Sequence, residues 1–139
     1  MYTSLVEEFQ NNGHKVYVVA PEGYSRSTGI RREKDVEILR VKTLPTKNVS
    51  NFIKGISIFL LPFMFQRAIN KYYQGTNFDL IISPTPPITL VDLSAKLKHK
   101  FNCKYYLILR DIFPQNAVDL GFMKKGGFLH RYFRKKEKK

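Results

Sequence analysis

Three observations predict an α/β fold with a parallel sheet. Strand-like apolar runs alternate with helix-length segments along the chain. Two of those runs, Leu80–Ile82 and Tyr106–Leu109, are apolar without alternation, as strands covered on both faces are. Each run also stops abruptly, the first at a proline-rich turn and the second at Arg110-Asp111. The expected architecture is Rossmann-like, a parallel sheet with helices on both faces.

The elements follow in order. "TSLVEEFQNNG" (3–13) reads as a short helix that Thr3 or Ser4 caps and Gly13 ends. "KVYVVAP" (15–21) is a buried-type strand closed by Pro21, and "EGYSRSTGIRREKD" (22–35) a polar, basic loop. "VEILRVKTL" (36–44) is a second strand, less cleanly buried. "NFIKGISIFLLPFMFQRAINKYY" (51–73) has helical length, and "FDLIISP" (78–84) is a short strand. "PITLVDLSAKLKHKF" (87–101) is an amphipathic helix with Leu90, Leu93 and Leu97 on one face and lysines on the other. "CKYYLILRD" (103–111) is another strand. A short helix from Gln115 to Leu120 should stop at Gly121, and "GFLHRYFRKKEKK" (127–139) begins a last, very basic helix.

The 139 residues suffice for one domain with a real core, and 43% hydrophobic with 25% charged residues is not a disordered composition. Lys and Arg number 24 against 11 Asp and Glu, a net charge of +13. Such an excess points to an anionic partner: nucleic acid, an anionic membrane face or a phosphorylated ligand. The plain alternative is a solvated basic surface. Cys103 stands alone, so no intrachain disulfide forms, and a cytoplasmic setting fits. The N-terminus lacks the basic and apolar regions of a signal peptide.

In parallel α/β sheets ligands bind beyond the carboxyl ends of the strands. Arg110 and Asp111 stand where a central strand enters that crevice, and Pro114 stops the strand. An ion pair that merely fixes a loop is the competing reading. "SPTPPIT" (83–89) offers the hydroxyls of Ser83, Thr85 and Thr89 ahead of a helix whose free N–H groups suit an anion or a sugar. A simple helix cap is the alternative there. His14 reads as structural, and His99 and His130 as solvated. No His, Cys, Asp or Glu cluster has metal-ligand spacing, so no metal is expected.

"FIKGISIFLLPFMF" (52–65) carries one charge and falls short of the roughly 20 apolar residues a membrane crossing needs. It reads either as a core helix or as an interfacial one, with Phe59, Phe63 and Phe65 towards lipid and Lys54, Arg67 and Lys71 towards headgroups. The chain opens with a helix and closes inside a helical pattern, so both ends read as cut, and no GxGxxG or P-loop occurs.

"GHKVYVVAP", "FDLIISPTPPITL" and "YYLILRDIFPQNAVDLG", in that order, resemble the N-terminal half of the bacterial family-four glycosyltransferases of the polysaccharide and O-antigen type. "RDIFPQNAVDLG" is the most specific piece. The resemblance implies one half of a GT-B fold, with the first strand and the donor-binding C-terminal domain absent and 1–139 a single partial domain. It implies a retaining, metal-free transfer from a nucleotide-sugar co-substrate to a lipid-linked (polyprenyl-diphosphate) acceptor, with no other cofactor. Arg110 and Asp111 match the strand-end pair at the cleft. Asp111 is expected near the reacting sugar, orienting the acceptor or taking its proton; Arg110 is expected to hold a phosphate or to lock Asp111. Ser83, Thr85, Pro86, Thr89 and Gln115 are the expected substrate-binding residues. Residues 52–65 match a membrane-associating stretch, which implies a cytoplasmic protein peripheral on the inner membrane face. Alone, the chain is expected to be inactive. The rival readings are a basic membrane-surface module and a nucleic-acid binder; the second lacks an RNP-like motif, a zinc pattern or a recognition helix.

Overall fold

A computed structural model describes residues 2–33, 36–85, 87–110, 114–119, 121 and 124–137. The elements are α1 (Tyr2–Asn11), β1 (Tyr17–Gly23), β2 (Gly29–Glu33), β3 (Val36–Lys42), α2 (Asn51–Tyr72), β4 (Leu80–Thr85), α3 (Leu90–Phe101), β5 (Lys104–Leu109), α4 (Gln115–Asp119) and α5 (Phe128–Glu137). The architecture is mixed α/β, with parallel strand pairs and helices packed on them, compatible with a Rossmann-like half-domain. The chain divides into two compact units, Met1–Gln74 and Gly75–Lys139.

The first unit is organised by β3. It pairs parallel to β1, from Tyr17↔Glu37 to Gly23↔Lys42, and antiparallel to β2, from Gly29↔Arg40 to Glu33↔Val36. β3 is therefore the middle strand, and Leu39 is 0% exposed. The sequence reading ranked this strand as less cleanly buried, because polar residues interrupt it. Period two resolves that: Leu39 and Val41 share one face, and Arg40 lies on the other. α2 packs against β3.

Three local expectations change. The segment 22–35 is not all loop, since Gly29–Glu33 forms β2. β1 runs past Pro21 to Gly23, with a register shift between them. An edge strand accepts a proline because one side of its backbone has no ladder to supply, and β1 is at the edge of its sheet. α1 starts at Tyr2, so Thr3 and Ser4 lie inside its first turn and not at its cap. Its end is as expected: Gly13 takes φ +79°, and the amides of Gly13 and His14 donate to Gln10 O and Phe9 O.

In the second unit β4 and β5 pair parallel from Leu80↔Lys104 to Thr85↔Leu109, and α3 packs against both. The amide of Lys104 donates to Asp79 O at 2.9 Å, and Phe78 meets Phe101 edge-on. Leu93 and Leu97 are buried and Leu90 half-buried, while Lys98, His99 and Lys100 face solvent, as the amphipathic pattern requires. β5 departs from expectation. Tyr106 and Leu109 are exposed, Leu109 at 64%, so this strand is not covered on both faces. α4 ends at Asp119, and Gly121 turns at φ +73°.

These burials separate two leucines that look alike in sequence. Leu39→Ala should cost about 2–5 kcal/mol, the range for emptying a well-packed site. Leu109→Ala should stay within about 0.5 kcal/mol. Urea unfolding of the two variants measures the difference.

Candidate functional site

The site predicted at the carboxyl ends of β4 and β5 is built from two adjacent strand ends. Thr85 closes β4 directly opposite Leu109, so Arg110 is the first residue past the ladder beside Thr85. Arg110 is exposed. Asp111 and Pro86 lie outside the described residues.

Among the described residues, the polar groups divide into those already engaged and one, Thr85, that is not. Ser83 is buried, and its hydroxyl shares a 2.8 Å hydrogen bond with the Tyr105 hydroxyl, a cross-strand tie inside the unit. Gln115 is exposed, but its Nε2 donates to Asp119 Oδ1 at 2.7 Å along its own helix. Thr89 precedes α3 and is buried, with no side-chain cap bond to the helix. The amides of Leu90 and Val91 donate to Pro87 O and Ile88 O, and Asp92 puts a carboxylate in the first turn. The start of α3 therefore offers an anion less than its position suggests. Thr85 is the exception. It is 3% exposed, and among the described residues its Oγ1 meets no hydrogen-bond partner. A buried hydroxyl without a partner is uncommon, and here it sits at the crevice end of its strand.

The remaining predicted residues lie on α2. Lys54, Phe59, Phe63, Arg67 and Lys71 are exposed. Phe65 is not: it is buried with Ala68 and Ile69 in the core of the first unit, which corrects its assignment to a lipid-facing set. His14 stacks edge-on against Phe9 at 5.5 Å, in keeping with a structural role. Cys103 is buried, and burial pushes its thiol above the ordinary range.

Sequence reasoning missed a charged cluster on the first unit's sheet. The bulge in β1 turns Glu22 into a position where its carboxylate meets three guanidiniums: Arg31 at 3.0 Å, Arg26 at 3.3 Å and Arg40 at 3.6 Å. Arg40 also forks onto Glu33, with Nε and Nη2 donating at 3.0 and 2.8 Å. That bond holds the Glu33 carboxyl below its ordinary range and raises Arg40. The signal was available only once β2 was recognised, because β2 brings Arg31 and Glu33 alongside β3. An open groove of about 800 Å³ lies at the other ends of β1 and β3, lined by His14, Lys15, Tyr17, Arg32 and Glu37 among others. Beside it, burial pushes the Tyr73 phenol up to about 12.

The comparisons bear on the class. The chain is 25% identical over 92 residues to a probable glycosyltransferase, WbjE, of Pseudomonas aeruginosa. The match covers 66% of this chain and 22% of that protein, so the chain spans a minor part of its relative's length. No family model and no solved structure matches. The α/β fold and this similarity together support a glycosyltransferase relationship at a distance.

Two predictions arise from the geometry. Ser83→Ala breaks a satisfied buried pair and should cost about 1 kcal/mol, whereas Thr85→Val removes a hydroxyl that has no partner among the described residues and should be neutral or stabilising. Thermal unfolding of both variants decides it. The Glu33–Arg40 fork should make a pH-dependent contribution to stability. A carboxyl whose folded-state value is depressed stabilises fully above its unfolded value and loses that stabilisation as pH falls through the folded value. The stability gap between the wild type and Glu33→Gln should therefore be present at neutral pH and close on acidification, followed by chemical denaturation at a series of pH values.

Proposed function

We propose that this chain forms the acceptor-holding part of a glycosyltransferase. The reaction moves a sugar from a nucleotide-sugar to a lipid-linked, polyprenyl-diphosphate acceptor during surface polysaccharide synthesis, on the cytoplasmic face of the membrane. The observation that carries the reading is the similarity to a probable glycosyltransferase over two thirds of the chain, in a fold where Thr85 Oγ1 is buried at the strand end beside Arg110 with no hydrogen-bond partner among the described residues.

The chemistry fits such a division of labour. Glycosyl transfer needs the acceptor hydroxyl placed on the anomeric carbon and the leaving diphosphate neutralised; most of the rate comes from positioning and fixed charge. In this reading Thr85 donates to an acceptor oxygen, and Arg110 meets an acceptor phosphate oxygen through a charge-assisted hydrogen bond. Asp111, next along the chain, orients the acceptor or takes its proton. Retention of configuration and the absence of a metal belong to the same proposal, with the donor held by residues outside these 139.

Isotope-labelled protein titrated with a short-chain polyprenyl-diphosphate sugar is the test. Amide shifts are expected at Thr85, Arg110 and Asp111, with binding weakened roughly tenfold in Arg110→Ala, the size of one lost charge-assisted contact. A nucleotide-sugar alone should leave these amides unmoved, and the chain alone should form no product. An acceptor footprint elsewhere on the chain, or binding indifferent to Arg110, would defeat the proposal.

A further inference from the structure

Glu22 gathers more positive charge than the alignment of its strands calls for. Arg31 on β2 and Arg40 on β3 tie Glu22, on β1, to the other two strands. Arg26 ties it to no further strand, because it belongs to the connection between β1 and β2. Its side chain is 67% exposed and meets Glu22 at 3.3 Å. An ion pair that exposed adds little to stability, so the fold does not account for Arg26.

The connection that carries Arg26 is nonetheless held at both ends. The Thr43 amide donates to Gly23 O at 3.1 Å, the Lys42 amide to Thr28 Oγ1 at 2.9 Å, and the Tyr72 hydroxyl to Thr28 O at 3.0 Å. Residues Tyr24 to Ser27 arch between these ties. They do so at the carboxyl ends of the parallel pair β1 and β3, the end of such a sheet where ligands bind.

We propose that Arg26 and Arg31, presented by Glu22 at the carboxyl end of β1, bind a diphosphate group. The inference stands without the sugar-transfer reading, because it uses neither the strand ends of β4 and β5 nor the similarity on which that reading rests.

The first argument is the supply of donors. Arg26 and Arg31 each turn Nη1 to the same oxygen, Glu22 Oε1, at 3.3 and 3.0 Å. Their two nitrogens therefore lie no further apart than those distances added together, close enough for one phosphate or two adjoining ones to bridge. A guanidinium has five N–H donors in a rigid fork, and one nitrogen of each is engaged by Glu22. Both side chains reach solvent, Arg31 at 33% exposure. Glu22, at 10%, is the positioning residue that holds the pair together. Ser25 and Ser27, exposed on either side of Arg26, place hydroxyls in the same arch.

The second argument is charge. Arg26, Arg31 and Arg40 reach Glu22, and Lys42 stands opposite Gly23, the next residue along β1. Two carboxylates answer these four cations among the described residues, and one of them, Glu33, is taken by the Arg40 fork. The remaining surplus of two positive charges suits a ligand group with two negative ones. A phosphate monoester carries about −1.5 to −2 at neutral pH, and a diphosphate supplies that charge over a longer row of acceptor oxygens.

The test titrates the full chain, with its arginine side chains isotope-labelled, with inorganic pyrophosphate. The Nε–H signals of Arg26 and Arg31 should shift. Binding should fall roughly tenfold in Arg26→Ala, the size of one lost charge-assisted contact, with the unfolding temperature unaltered. Arg26→Lys, which keeps the charge and loses the fork, should also bind more weakly than the wild type. Arg32→Ala removes the same charge from the other face of β2 and should bind like the wild type. Uridine diphosphate and geranyl diphosphate then separate the sources: tighter binding than pyrophosphate by one of them assigns a nucleotide or a lipid as the carrier, and equal binding by all three leaves the diphosphate itself as the recognised group. Equal losses in Arg26→Ala and Arg32→Ala would overturn the proposal, since net charge alone would then explain binding. A fall in unfolding temperature in Arg26→Ala with pyrophosphate affinity unchanged would overturn it too. Pyrophosphate that shifts Arg110 and leaves Arg26 and Arg31 unmoved would defeat this inference and not the acceptor reading.

Discussion

The first unit depends on the burial of β3. That strand has a partner on each side, parallel β1 and antiparallel β2, and it lays Leu39 and Val41 against the layer that α2 covers. Its register sets the other contacts. A shift of one residue would turn Leu39 and Val41 to the charged face and bring Arg40 inward, so the apolar pair and the Arg40–Glu33 fork fix the same register from opposite sides of the sheet. The bulge in β1 belongs to this arrangement as well. It absorbs the residue at Glu22, and the three arginines that gather there come from the β1–β2 connection, β2 and β3. Because the surrounding groups are partly exposed, each pair contributes modestly, and the network matters more for aligning the strands than for net stability.

How much of this could be read from sequence depended on whether a residue's fate was local. Gly13, Gly121 and the leucine line of α3 are governed by neighbours within a turn, and these were legible. β2 was not. "GIRRE" has one apolar residue in five and forms a strand because β3 is there to pair with. The Glu22 cluster was hidden for the same reason, since its members are neighbours only through that pairing. At the predicted site the location could be inferred from the ends of apolar runs, but the state of each hydroxyl could not. Ser83 and Thr85 stand two residues apart on the same face of β4; one is satisfied by Tyr105, and the other has no such partner among the described residues. Nothing local distinguishes them. Leucines stand directly opposite both, Leu107 and Leu109; the difference is the Tyr105 hydroxyl, which reaches Ser83 from two residues earlier on β5.

α2 shows the converse limit. Its composition admits a core helix, an interfacial helix and a crossing one, and no count of apolar residues separates the three. Ser57 and Phe65 show which part of the helix the first unit uses. The first ties the helix to the Pro45 carbonyl, and the second commits the C-terminal half to the core. Pro62 falls between the two halves and costs the helix one backbone bond. A helix whose halves answer to different surroundings tolerates a break there better than one that buries a single continuous stripe.

The distribution of charge adds a constraint that geometry alone does not. A solvated surface would be expected to mix signs, as β1 to β3 do with Glu22, Glu33 and Glu37 among their arginines. Beyond β3 the acids stop until Asp79 while the cations continue, and within that span lie Phe52, Phe59 and Phe63, exposed on α2. Solubility needs no such segregation, and a helix made only to fill a core needs no exposed phenylalanines. The exposed phenylalanines share one face of α2, whereas Lys54, three residues before Ser57, falls on the side of the helix that Ser57 buries.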